Sequence, residues 1–225
     1  MLDLGPVWLT ARLAAVTTLI LLALATPLAW WLARSRSALR PAVEAITALP
    51  LVLPPTVLGF YLLTLLSPNA PLGRLWVELT GDALTFSFSG LVVASVLYSL
   101  PFAVQPLQRA FEGVDHGLLE AAATLGAKPT ERFVRIALPL ARRGYLTAAV
   151  LAFAHTVGEF GVVLMVGGAI PGETRVISIA IYEHVETLRY AQAHALSLGL
   201  LLFSFLVLLL VYTGNARHPR SRGAR

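Results

Sequence analysis

The sequence predicts an all-α integral membrane protein of about five transmembrane helices, on three observations. The 225 residues are 57% hydrophobic and only 13% charged, about half the charge of an ordinary soluble domain, and the mean hydropathy is +0.76. Five apolar stretches, 9–33, 43–66, 88–104, 146–166 and 196–212, approach or exceed the ~20 residues that a bilayer-spanning helix requires. Lysine and arginine gather in alternate connecting segments. The formal net charge of +5 therefore reflects membrane topology. A nucleic-acid face would need a basic stripe uninterrupted by such apolar runs. With no cysteine in the chain, a disulfide framework, a thiolate metal site and cysteine catalysis are excluded.

Span one, 9–33, is too long for a signal peptide and lacks a small-residue cleavage pattern, so it is read as a retained span. Arg12 lies near its end and can snorkel to the interface. Span two contains LPLVLPPTVLGF, in which Pro50, Pro54 and Pro55 remove backbone donors. A kink, or a restart near Thr56, is expected there. Broken backbone at that depth is tolerated only against protein or a water-filled path. The loop 67–87 opens with the turn-rich Pro68, Asn69, Ala70, Pro71, Leu72 and Gly73.

After span three, the segment 106–145 is too long for a turn. Leu118, Leu119, Ala122, Ala123 and Leu125 predict a short helix with an apolar face, ended by Gly126 in a left-handed conformation and stopped by Pro129. A second helix is expected from Thr130, as N-cap, through Phe133, Val134 and Ile136 towards Pro139. Span four follows. The segment 171–195 mixes Val176, Ile177, Ile179 and Ile181 with Glu183, Glu186 and Arg189. It is too charged to cross and predicts a short interfacial helix. Residues 1–214 thus form the transmembrane domain. Residues 215–225 form a basic cytoplasmic tail, expected to be disordered and to touch anionic lipid.

Thirteen of the 17 basic residues fall on one side: Arg34, Arg36 and Arg40; Arg109, Lys128, Arg132, Arg135, Arg142 and Arg143; and Arg217, Arg220, Arg222 and Arg225. Arg12, Arg74, Arg175 and Arg189 lie on the other. Because cytoplasmic loops carry the positive excess, the N-terminus is expected outside and the C-terminus in the cytoplasm, as an odd number of spans requires.

The string EAAATLGAKPTERFVRIALP resembles the loop signature of permease subunits in ATP-binding-cassette (ABC) importers: Glu-Ala-Ala, three residues, Gly, nine residues, Ile, any residue, Leu, Pro. Glu120, Ala121, Ala122, Gly126, Ile136, Leu138 and Pro139 fill its positions. The strings LPLVLPPTVLGFYLL, NAPLGRLW, GEFGVVLMVGGAIPGET and IAIYEHVE are similar to parts of molybdate permeases, so the resemblance covers nearly the whole chain except the tail. It implies the type I ABC importer architecture, with Leu119 to Gly126 as a coupling helix seated on an ATPase. It also implies a homodimer with the path between two copies, in a bacterial cytoplasmic membrane. Two ATPase subunits and an extracytoplasmic molybdate-binding protein are the implied partners. Tungstate, sulfate or thiosulfate is the alternative cargo.

A P-loop needs Gly-Lys-Ser/Thr, and Lys128, the only lysine, sits between Ala127 and Pro129. ATP and magnesium are therefore expected on the partner ATPase, and no cofactor on this chain. Glu159, between Gly158 and Gly161, is a carboxylate deep in span four. At roughly 3 kcal/mol or more for an ionised group, it should face a cavity or a partner. Pro54, Pro55, Gly158, Glu159 and Gly161 are the candidates for the path or gate, and a structural hydrogen bond or a protonated acid is the other account of Glu159. A bare carboxylate would repel an oxyanion, so Glu159 is not read as a substrate ligand. His155 and Glu159 are four apart, hence on one helix face, a spacing that can bind metal. An intramembrane enzyme using this pair is the reading from another class. HExxH and a third helical ligand are missing, as is a nucleophile elbow.

Overall fold

The computed structural model describes residues 3–216, and every regular element among them is helical. In chain order these are α1 (Gly5–Arg34), α2 (Arg40–Ala48), α3 (Pro55–Leu66), α4 (Pro71–Thr80), α5 (Phe88–Glu112), α6 (His116–Thr124), α7 (Pro129–Arg132), α8 (Leu138–Leu140), α9 (Arg142–Gly158), α10 (Gly161–Gly167), α11 (Ile177–Glu186) and α12 (Tyr190–Ala216). Three helices are long and apolar enough to cross a membrane, or up to five if each bent pair is one span. The chain divides into two compact units, Met1–Ala180 and Ile181–Arg225.

Several expected boundaries move, each for a local reason. Span one starts at Gly5 with proline in the first turn, where the missing N–H costs nothing. Span two is two helices: a 3₁₀ turn at Leu49–Leu51 follows α2, and α3 leaves at 107° to Arg40–Leu51. It restarts at Pro55 rather than Thr56, with Pro54 extended ahead of it at ψ 134°. Span three runs on to Glu112 through Pro101 and Pro106. The cytoplasmic segment therefore begins near Gly113 and not at 106. The cost of the two prolines is offset by packing on both sides, because α1 and α9 enclose α5.

Pro129 opens the second loop helix instead of reinforcing the stop of the first, and Lys128 replaces the expected Thr130 as N-cap. The Lys128 N–H donates to Glu131 Oε2 at 2.9 Å. A π-helical turn over Phe133–Ala137 follows, just ahead of Pro139, which has no N–H to give to the Arg135 carbonyl and whose ring would crowd it. Span four is interrupted after Gly158 and resumes at Gly161. A helix forms within 171–195 as expected, over Ile177–Glu186. Of the segment read as a tail, residues 215 and 216 close α12, and 217–225 lie outside the described residues.

The core of the first unit is the packing of α1, α5 and α9. Leu21, Ala25, Ala29 and Leu32 of α1 meet Val104, Leu107 and Phe111 of α5 and Ala148 and Ala152 of α9, all buried. The alanines let the helix backbones approach closely. Arg12 is not left to snorkel: its guanidinium lies over the Phe88 ring at 4.4 Å. At the other end Arg34 donates to the carbonyls of Phe111 and Val114, at 2.9 and 2.8 Å. Gly144 makes a tight α5–α9 junction, since a Cβ there would collide with Ala110 Cβ and lie 3.2 Å from the Pro106 carbonyl oxygen. Gly144→Val is therefore expected to lower stability by about 1–3 kcal/mol, the usual cost of overpacking. A thermal unfolding midpoint in detergent unchanged from wild type would contradict this packing.

Candidate functional site

The loop signature folds into a corner. Asp115 caps α6 by accepting from the Gly117 N–H at 2.8 Å, and the helix ends as the glycine requires. Gly126 has φ +86°. Its N–H donates to the Ala123 carbonyl at 3.0 Å, and the Ala127 N–H donates to that of Ala122 at 2.9 Å. This pair of bonds is a Schellman closure, which satisfies carbonyls that the helix end would otherwise leave free.

The faces of this corner are only partly as expected. Glu120 and Ala121 are exposed and Ala122 is half-buried, with His116 Nδ1 3.0 Å from Glu120 Oε1. Leu119, however, is buried. It lines a cavity of about 280 Å³ with Trp30, Arg34, Pro129 and Arg132, so it anchors the helix inward rather than presenting it. The apolar side chains that do project are Leu118 and Leu125, 51% and 89% exposed. Their one-sided exposure follows from helical periodicity once Leu119 is placed inside. The second half of the signature reaches the core. Ala137, between Ile136 and Leu138, is fully buried, and Phe133 meets Trp30 and Phe111 at ring separations of 5.2 and 5.8 Å. Ile136 and Leu138 are half-buried and Pro139 is exposed.

The second candidate region lies where the two interrupted spans cross, and it brings Pro55 and Gly161 together. A Cβ on Gly161 would stand 2.9 Å from Pro55 Cβ, and one on Gly59 would stand 2.7 Å from Met165 Cβ, so α3 and α10 touch through their glycines. Gly158 has no such neighbour within 4 Å and Pro54 is exposed.

Glu159 sits in the break itself. Its ψ of 135° takes the chain out of α9, and its carbonyl accepts from Ser178 Oγ at 2.5 Å. The side chain is 3% exposed, with no hydrogen-bond partner for either carboxylate oxygen. The Ser95 hydroxyl is a polar group beside it, and its own oxygen also makes no hydrogen bond.

His155 and Glu159 both face α5, Glu159 beside Ser95 and His155 one turn away at Ser99, but the Glu159 carboxylate makes no hydrogen bond to the imidazole. His155 has Nδ1 2.9 Å from Ser99 Oγ and its ring stacked on Phe102 at 3.9 Å and tilted against Tyr98 at 4.9 Å. Among the described residues no three His, Cys, Asp or Glu side chains gather as a metal site would need. Ser99 and Thr156, both buried, are polar partners that hydropathy alone passes over. Hydroxyls within otherwise apolar spans are the signal that would have found them.

A bundle of interrupted apolar spans carrying a glycine-closed loop corner defines an integral membrane transport component. The chain belongs to the family of binding-protein-dependent transport system inner membrane components, which it matches over residues 25–217, and it is a multi-pass inner-membrane permease subunit of the ABC importer class. It is 58% identical over 213 residues to the molybdenum transport system permease protein ModB of Azotobacter vinelandii, covering 95% of this chain and 94% of that one. To the proteins of the same name from Mycobacterium tuberculosis and Escherichia coli K12 it is 39% identical, covering 94% of this chain and 78% of the relative, and 36% identical, covering 80% and 79%. Its fold matches a chain of the crystal structure of a bacterial alginate ABC transporter in complex with an alginate pentasaccharide-bound periplasmic protein. The TM-score is 0.73 at 19% identity, over 92% of this chain and 76% of that one.

The two glycines beside Glu159 should respond differently. Gly161→Val is expected to destabilise the α3–α10 crossing by about 1–3 kcal/mol through its collision with Pro55. Gly158→Ala, at an open helical position, should be neutral or stabilising by up to ~1 kcal/mol. Equal unfolding midpoints for the two variants would contradict the crossing.

Proposed function

We propose that this chain is the membrane-spanning half of a molybdate importer, working as a homodimer with the passage between two copies. A binding protein would deliver the oxyanion from outside, and two ATPase subunits, one on each copy of α6, would hydrolyse ATP. The observation that carries this reading is the α6 corner: the full signature, closed by a left-handed glycine, with Leu118 and Leu125 exposed beside Glu120. The molybdate assignment is supported by the 58% identity over 95% of the chain to the Azotobacter permease. Tungstate, sulfate or thiosulfate is the competing cargo.

In this mechanism ATP and magnesium stay on the ATPase, and this chain supplies a lever and a passage. Force arriving on the exposed face of α6 passes through Leu119 and the Trp30, Phe111 and Phe133 rings into α1 and α5. The α5 helix adjoins α9 and α10, so a shift there reaches the break at Glu159. Glu159 and the apposed Pro55 and Gly161 would form the gate, with Pro54 and Gly158 flanking it. The corner would lie in the cytoplasm with the N-terminus outside, following the distribution of arginine.

ATP-dependent molybdate uptake is expected in vesicles holding permease, ATPase and binding protein, with tungstate competing and sulfate competing poorly. Equal competition by sulfate at the purified binding protein would shift the cargo assignment. Leu125→Asp, which buries nothing in the protomer, should lower uptake at least tenfold through lost docking while the permease still reaches the membrane. Gly126→Val and Glu120→Lys should act in the same direction. Normal substrate-stimulated ATP hydrolysis in all three would remove the docking role. Single cysteines at Arg74 and Glu183 should react with an impermeant thiol reagent from outside and one at Lys128 should not. The reverse pattern would invert the orientation.

A further inference from the structure

His155 is absorbed neither by the loop corner nor by the α3–α10 crossing, and its surroundings fix where its proton sits. Three contacts run in series: Thr156 Oγ1 to the Ala152 carbonyl at 3.0 Å, Ser99 Oγ to Thr156 Oγ1 at 3.1 Å, and Ser99 Oγ to His155 Nδ1 at 2.9 Å. A carbonyl has no hydrogen, so Thr156 gives its only one to Ala152. Thr156 then only accepts from Ser99, which spends the Ser99 hydrogen. The third contact must therefore take its hydrogen from Nδ1. Any other assignment leaves two lone pairs facing each other within about 3 Å. A neutral imidazole carries one N–H, so Nε2 is left as a bare acceptor.

Among the described residues that acceptor has no hydrogen-bond partner. Nδ1 makes the one hydrogen bond of the ring found among them, and His155 is half-buried with Nε2 not among the sealed, unpartnered polar atoms, so Nε2 reaches the surface. His155 lies thirteen residues into α9, which begins at Arg142, or about 20 Å along the helix at 1.5 Å per residue, and the span continues through α10. It is therefore deep in the bilayer. Lipid offers no donor there, and an unsatisfied polar atom facing hydrocarbon is costly, so Nε2 must meet water or protein.

We propose that His155 Nε2 faces the translocation passage and accepts a hydrogen bond from the water shell of the transported tetrahedral oxyanion. The proposal rests on the transport reading above. A lone pair repels a bare dianion and welcomes the water that surrounds one, so this position admits the ion hydrated. Ser99 and Thr156 are positioning residues: they hold the ring in the tautomer whose acceptor is Nε2.

Two near-isosteric variants separate this role from a structural one. His155→Asn keeps an amide donor at the δ position for Ser99 and has no atom at the ε position, whereas His155→Gln extends a polar group to the ε position and gives up the δ donor. Molybdate uptake in three-component vesicles should fall about tenfold in the Asn variant, as for one lost hydrogen bond, and stay within about threefold of wild type in the Gln variant. Wild-type uptake in the Asn variant with loss in the Gln variant would overturn the proposal. So would dissociation of the Asn variant into monomers by light scattering, since Nε2 would then be a contact between copies. In the full-length permease carrying ¹⁵N-histidine, the resonances absent from the Asn variant should report a protonated Nδ1 and an unprotonated Nε2. A protonated Nε2 would overturn the relay. If wild-type vesicles take up no molybdate, the transport reading falls and the passage assignment with it, whereas the nitrogen resonances still decide the tautomer.

Discussion

Within a bilayer, a backbone amide or carbonyl without a partner costs several kcal/mol, and the rest of this fold depends on how two interrupted spans meet that constraint. The chain breaks after the turn at Leu49–Leu51 and again between Gly158 and Gly161, and the resumed helices, α3 and α10, lie against each other. The first break is relieved by its own residues, because Pro54 and Pro55 carry no N–H to leave unpaired. The second is relieved from outside, by Ser178 Oγ donating to the Glu159 carbonyl. Glycine at positions 59 and 161 lets α3 and α10 approach until side chains of one helix touch the other. Irregular backbone is thus covered by protein at both breaks.

The same economy governs the corner. A short helix outside the bilayer has too few internal hydrogen bonds to be stable alone, so α6 borrows rigidity from the bundle. Asp115 fixes its start, Gly126 fixes its end, and Leu119 is buried at the cavity it lines with Trp30 and Arg132. The conformational freedom of α6 is thus already restricted within this chain, which would lower the ordering cost of the proposed docking.

The fold was legible where one physical signal dominates. Long apolar runs located the spans, the proline cluster at 50–55 located the first break, and the spacing from Glu120 to Gly126 located the corner and its left-handed residue. The sequence misleads where two signals compete. Pro101 and Pro106 look like terminators, but burial between α1 and α9 outweighs two lost hydrogen bonds. Pro129 serves as well at the start of a helix as after its end, and local geometry chose the start. The break at Glu159 was hidden because its flanking glycines are equally at home in a packed helix. His155 and Glu159 share the α5 side without bonding to each other, and spacing alone does not tell a shared face from a contact. The Ser99–Thr156–His155 relay joins two spans more than fifty residues apart, and periodicity within one span carries no information about such pairing.

Arg34 gives the architecture a mechanical property beyond cohesion. Its guanidinium holds two carbonyls at the carboxyl end of α5, one inside the helix at Phe111 and one beyond it at Val114, where a cation also offsets the negative end of the helix dipole. The last residue of the first span is thereby pinned to the stretch of chain from which α6 departs. A torque applied to α6 consequently has no slack to take up at its root. Under the proposed coupling role such a torque would reach the ends of both helices together, with α6 as a crank fixed to its shaft.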